Sequence, residues 1–210
     1  KTAGLQPLPV NVCENSLMLE REQLENLDLT DVSACMITQL NGVVANMDPI
    51  SEFCKEKKIQ LIEDSAQAIG SFNNNKHAGS WGVGGCISFY PAKIVGSLGD
   101  GGAIITNNDE LCKFAKSVRD HGRGIGLEAD NWGRNSRLDS INARIILERL
   151  NNLNVLIQKR RKLASIYNQE LRILEKLEYI KLPPKYSSNS ESESTYQNYE
   201  IQASNRDKLK

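Results

Sequence analysis

Short apolar runs rich in β-branched residues alternate along the chain with longer stretches whose apolar positions recur at helical spacing. This is the pattern of a largely parallel sheet covered by helices. Residues 7–12 and 32–40 read as strands, with a helix at 19–27 between them. Asp48-Pro49 opens a helix that runs to residue 57, with Asp48 as N-cap and Pro49 at the first helical position. Residues 59–62 form a short strand ending in Glu63-Asp64, and further strands are expected at 86–90 and 102–106. Asn108 then caps a helix to about residue 119. From residue 137 to about 174, Leu138, Ile141, Ile145, Leu147, Leu150, Leu153 and Leu156 make a broad apolar face, which predicts one long helix of the kind that links two domains. Pro183-Pro184 ends the helical region; residues 186–194 are too polar for a core and read as a loop, and 200–203 as the start of a strand. The first residues read as already inside a sheet and the last as an element with nothing to pack on. The chain is therefore expected to be a piece of a longer protein.

Composition narrows the function classes. The 210 residues carry 26 basic and 26 acidic side chains. The basic excess of a nucleic-acid footprint is missing. Charged or polar residues interrupt every apolar run before it could span a bilayer, and the first twelve residues lack the apolar stretch of a signal peptide. A cytoplasmic protein with no membrane contact is the expectation. Five scattered cysteines, Cys13, Cys35, Cys54, Cys86 and Cys112, form no CxxC or Cys/His cluster, so reduced thiols are expected and a metal site is not.

Two segments carry candidate chemistry. In the first, residues 61–68, Asp64 directly follows an apolar strand, at the sheet end where open α/β folds bind ligands. There it could pair with a cationic heterocycle, or it could cap a following helix. In the second, residues 84–102, Lys93 lies between a proline turn and a glycine-rich stretch. A lysine near a buried sheet end can have its pKa lowered, which makes its amine nucleophilic enough for a Schiff base; the alternative is an ordinary surface lysine. Pyridoxal 5'-phosphate (PLP) needs a lysine for its aldehyde carbon, a carboxylate for its ring nitrogen and donors for its phosphate. Asp64 and Lys93 could supply the first two and Ser88 a hydroxyl for the third.

The segments EDSAQAIG, AGSWG, SFYPAK, LGDGGAIIT, RDHGR and GRNSRLDSINA, preceded by NMDPI, resemble the DegT/DnrJ/EryC1/StrS sugar aminotransferases and stand in that family's order from NMDPI at Asn46 through NSRLD at Asn135; the resemblance covers residues 7 to about 174. The resemblance implies an α/β fold, the large domain of a PLP-dependent transferase of the aspartate aminotransferase type (fold type I), with a mostly parallel sheet. Residues 1–150 would belong to that domain, and 151–210 would be a linking helix and the start of a small C-terminal domain. It also assigns roles residue by residue. Asp64 would pair with the pyridine nitrogen, Gln67, one helical turn on, would reach the ring hydroxyl, and Ser88 the phosphate. Lys93 would hold the cofactor as a Schiff base and then move the proton. Asn135 would reach the phosphate in the neighbouring subunit of a homodimer. Ile94-Val95 and Asn142-Ala143-Arg144 depart from the family's usual residues, beside the chemistry but outside its essential groups. The family's small-residue phosphate loop and its cofactor-stacking aromatic ring have no counterpart in this chain.

The implied activity is transfer of an amino group from glutamate to a nucleotide-linked keto-sugar, for a surface polysaccharide or glycosylated metabolite. The NSRLD form leans toward 3-keto sugars. A non-catalytic remnant or partner subunit of the same fold is the competing expectation, and a PLP-dependent sugar dehydratase is disfavoured because that subgroup carries histidine in place of Lys93. Turn packing is expected of Trp81 and Trp132, and ion pairs of Arg119, Arg123 and Arg137. By the resemblance, His121 lies near the sugar nucleotide, with a structural role weighed equally.

Overall fold

The structure, a computed structural model of the chain, describes residues 3–124, 128–184 and 194–208. The loop expected at 186–194 therefore lies outside the described residues, Ser194 apart. Eight strands and six α-helices occur among the described residues: α1 (Arg21–Glu25), β1 (Ala34–Thr38), α2 (Met47–Glu56), β2 (Gln60–Asp64), β3 (Phe72–Asn73), β4 (Lys76–His77), β5 (Gly84–Ser88), β6 (Gly102–Ile105), α3 (Asp109–Arg119), α4 (Ser140–Asn151), α5 (Leu153–Glu170), α6 (Arg172–Lys176), β7 (Ile180–Lys181) and β8 (Gln202–Ala203).

The main sheet has the order β1-β2-β5-β6, parallel except for β6, which runs antiparallel to β5. Alternation along the strands sorts their side chains. Ile37, Leu61, Glu63 and Ile87 turn to the buried side, where Met47, Ile50, Phe53 and Cys54 of α2 complete one core with Ile37 and Leu61. Met36, Ile62, Asp64, Cys86, Ser88 and Ile104 share the opposite face, following the register Met36↔Ile62, Asp64↔Cys86, Cys86↔Ile104. That face is largely bare: Met36 is 66 % and Ile104 59 % exposed. A second core gathers Ile87, Phe89, Ile94, Val95 and Ile146, with Leu138, Leu153 and Leu156 packed against it.

Several elements differ from expectation. Residues 7–12 form no strand, because Pro7 and Pro9 lack amide donors and no neighbouring strand lies beside them among the described residues. The N-cap of α2 is Asn46, with Asp48 in the first turn. Pro49 is thus the third helical residue, still among the positions whose N–H has no helical partner. The Asp48 carboxylate instead accepts from Asn74 Nδ2 at 2.5 Å, tying α2 to the β3-β4 hairpin. That hairpin was unforeseen in the pattern; Asn74 and Asn75 form its turn at positive φ, which asparagine tolerates. The long helix expected over 137–174 is three helices. It starts at Asp139, whose Oδ1 accepts from Asn142 N at 2.8 Å, and breaks at Asn152, whose side chain donates to the Glu148 carbonyl at 3.0 Å in competition with the backbone. Ile146, Ile157 and Ala164 provide its buried contacts, while Ile141 is exposed. β7 lies between the last helix and Pro183-Pro184, paired with β8, so the strand expected near 200–203 is present. Asn108 caps α3 as expected, accepting from Leu111 N at 2.9 Å.

Candidate active site

Asp64 is the last residue of β2, and Ser88 the last of its parallel neighbour β5, so both stand at the carboxyl edge of the sheet on its bare face. Asp64 Oδ1 accepts the Ala66 N–H at 3.1 Å and lies 3.6 Å from the Cys86 thiol. Its second oxygen has no partner among the described residues. No helix follows Asp64: residues 65–70 form turns, which overturns both the helix-cap alternative and the placement of Gln67 one helical turn on. Gln67 sits in the first of these turns, and its Oε1 accepts the Asn41 N–H at 2.8 Å, leaving its amide donors without a partner among the described residues. Burial first, and then the Asp64 carboxylate, pushes the Cys86 thiol above its ordinary pKa.

Ser88 Oγ accepts the Tyr90 N–H at 3.2 Å, which leaves the hydroxyl proton free to donate. The chain then turns, closed by Lys93 N–H to the Tyr90 carbonyl at 2.8 Å. Ile94 and Val95, both buried, pin the residues that follow Lys93 into the second core. The ammonium of half-buried Lys93 makes no hydrogen bond or ion pair among the described residues. Four of the five expected residues therefore come to one end of the sheet. Asn135 does not join them by any bond: it is exposed, in an isolated bridge with Asp120.

A residue without an expected role holds this region together. Glu63, with 0 % exposure, accepts from Gln39 Nε2 at 3.1 Å and from the backbone N–H groups of Gly79 at 2.7 Å, Trp81 at 2.5 Å and Gly82 at 3.2 Å. The 79–82 turn can come so close because Gly85, beside Glu63 in the sheet, has no side chain; a Cβ there would lie 2.4 Å from Gly79 Cα. Period-two alternation along β2 could have assigned Glu63 to the buried face.

Other side chains outside this group find structural partners. His77 Nε2 accepts the Gly70 N–H at 2.9 Å. Arg137 and Arg123 meet Asp120 at 3.1 Å and 4.0 Å. Trp81 is partly buried against the first core, with Lys76 Nζ 4.5 Å above its ring. Trp132, expected to pack in its turn, is 100 % exposed, because nothing among the described residues covers that loop. No group of three or more His, Cys, Asp or Glu side chains among the described residues could hold a metal ion, and no described helix is long and apolar enough to cross a membrane.

A mostly parallel sheet with helices, in which β2 ends at Asp64 and β5 at Ser88 with Lys93 in the turn that follows, is the architecture of the large domain of a PLP-dependent transferase. The model of the DegT/DnrJ/EryC1/StrS aminotransferase family matches residues 1–210, and the chain belongs to that family. It is similar to a protein of Geobacillus stearothermophilus named pleiotropic regulatory protein, 33 % identical over 207 residues that make up 99 % of this chain and 55 % of the relative. It is 32 % identical to the UDP-2-acetamido-2-deoxy-3-oxo-D-glucuronate aminotransferase of Pseudomonas aeruginosa, over 80 % of this chain and 47 % of the enzyme. Among solved structures, NtdA from Bacillus subtilis with bound cofactor PMP superposes with a TM-score of 0.83 at 28 % identity, covering 97 % of this chain and 45 % of NtdA. The chain thus spans about half the length of the relatives it matches.

Proposed function

We propose that the protein containing this chain is a PLP-dependent aminotransferase that moves an amino group from glutamate to a nucleotide-linked keto-sugar, giving an amino-sugar. One observation carries the reading: the Asp64 carboxylate, with an oxygen to spare, and the unpaired Lys93 amine serve the same end of the sheet. These groups fit PLP. The free Asp64 oxygen suits a protonated ring nitrogen, the Gln67 amide donors suit a ring hydroxyl, and the Ser88 hydroxyl suits a phosphate oxygen. When bound, the cofactor supplies an electron sink for the carbon that loses its proton. Lys93 would hold it through its amine, and that amine, when free, would serve as general base and acid. The Asp64 carboxylate would hold the ring nitrogen.

Residues 1–150 are read as part of the cofactor-binding large domain and 151–210 as the linking helices and start of the small one. Asn135, exposed and remote in bonding from the other four, is assigned to the phosphate of a partner subunit in a cytoplasmic homodimer with shared sites. A non-catalytic member of the same fold is the second reading, favoured by the name of the G. stearothermophilus relative.

The test is to incubate the purified full-length protein with PLP, reduce with borohydride and map the modified peptide. Label on Lys93 with glutamate-dependent release of oxoglutarate supports the enzyme. Label without oxoglutarate supports the second reading, and label that persists in Lys93→Ala refutes the assignment of Lys93.

A further inference from the structure

Residues 194–200 stand a hundred positions beyond Lys93, yet they pack into the same end of the sheet. The Thr195 N–H donates to the Gly42 carbonyl at 2.9 Å and the Gln197 N–H to the Asn41 carbonyl at 3.0 Å. Thr195, fully buried, places its Oγ1 3.0 Å from Ser71 Oγ. From α5, Arg160 donates to the carbonyls of Tyr196 at 2.9 Å and Gln197 at 3.2 Å. The segment is thereby held from both sides, and the Gln197 side chain, 9 % exposed, emerges from it in one direction.

That side chain takes hold of Lys93 by its backbone. Gln197 Oε1 accepts the Ile94 N–H at 3.0 Å, and Gln197 Nε2 donates to the Ala92 carbonyl at 3.1 Å. Among the described residues neither backbone group has another partner. The Ala92 carbonyl belongs to the peptide plane before the Lys93 Cα, and the Ile94 N–H to the plane after it. One planar amide fixing both planes fixes the φ and ψ of residue 93 together, and with them the direction in which the lysine side chain leaves the backbone. The same segment also reaches Gln67, since Asn41, whose carbonyl takes the Gln197 N–H, gives its own N–H to Gln67 Oε1.

We infer that Gln197 is a positioning residue for Lys93, setting the aim of its amine without touching the reacting atoms. The inference rests on the reading of Lys93 as the reactive amine. An amine held in one orientation meets its carbonyl partner without a search, so loss of the hold slows covalent capture more than it lowers stability.

The experiment uses the full-length protein with Gln197→Met, which keeps the volume and removes both bonds, and Gln197→Glu, which keeps an acceptor for the Ile94 N–H and loses the donor to Ala92. Three quantities are read: the rate at which PLP is captured by Lys93, followed by visible absorbance; the pH midpoint of that absorbance; and hydrogen exchange at the Ile94 amide. Gln197→Met should capture PLP about tenfold more slowly and exchange Ile94 about tenfold faster, with Tm within a few degrees. Gln197→Glu should fall between. Capture at the unaltered rate and pH midpoint despite faster Ile94 exchange would overturn the positioning role, as would unchanged exchange. If Gln197→Met does not fold, Gln197→Glu decides by the same three readings. If the unaltered protein captures no PLP, the reading of the site fails, whereas the Ile94 exchange still reports whether Gln197 holds residue 93.

Discussion

On β2, Glu63 faces the buried side of the sheet and accepts from Gln39, Gly79, Trp81 and Gly82, while Asp64, the next residue, faces the bare side with one oxygen unclaimed. The two carboxylates have the same charge and differ by one methylene. Their environments separate them: Glu63 spends its lone pairs on closing a turn and has nothing left for a ligand, and Asp64 keeps capacity where the sheet opens. A carboxylate in an α/β sheet is a ligand group when its acceptors are incompletely used, and a structural strut when they are saturated.

Exchanging these roles should have opposite consequences. Glu63→Leu leaves three backbone N–H groups and the Gln39 amide without their acceptor, which should cost about 3–6 kcal/mol and melt or unfold the protein. Asp64→Asn should leave Tm within a few degrees and slow transamination about a hundredfold to a thousandfold, because a neutral amide cannot hold the ring nitrogen protonated. Thermal melting and glutamate-dependent turnover on the two variants separate the roles. Near-normal turnover in Asp64→Asn would reduce Asp64 to the acceptor of the Ala66 turn.

A smaller effect tests whether Asn135 completes the site from a second subunit. Mixing inactive Lys93→Ala and Asn135→Ala proteins should restore about a quarter of normal activity on full exchange, since half the dimers are hybrids with one intact site each. Exchange without recovery would place Asn135 outside the site of its partner.

The smallest effect reads the Asp64 charge through its neighbour. Removing the negative charge beside Cys86 lowers the thiol's pKa, so Asp64→Asn should raise the thiolate fraction at neutral pH and speed alkylation of Cys86 several-fold. Peptide mass mapping would follow it. An unchanged rate would mean that burial alone sets the thiol.

Elements with strong local signals were legible in the chain. Asn108 sits one residue before an amphipathic run, and its capping contact is local to the helix it starts, as the bond from Leu111 N shows at 2.9 Å. The two segments around Asp64 and Lys93 announced themselves by composition, because turns and sheet ends demand particular residues. The breaks at Asn152 and Leu171 were hidden inside a continuous apolar pattern: periodicity records which side is greasy, not whether the axis bends. The expected strand at 7–12 failed for the complementary reason, that a strand exists only when a neighbour offers a ladder.

By itself, then, the sequence determined the alternation of strands and helices and the family motifs and their order. These are properties of local spacing and residue type. The tertiary structure decided which of two adjacent carboxylates is spent and which is available, because that depends on the Gly79–Gly82 turn lying against Gly85. It decided also that Gln197, more than a hundred residues away, is the side chain that grips the backbone of Lys93. A glutamine in a polar stretch carries no mark of its partner, since hydrogen bonds between distant residues leave no periodicity to read.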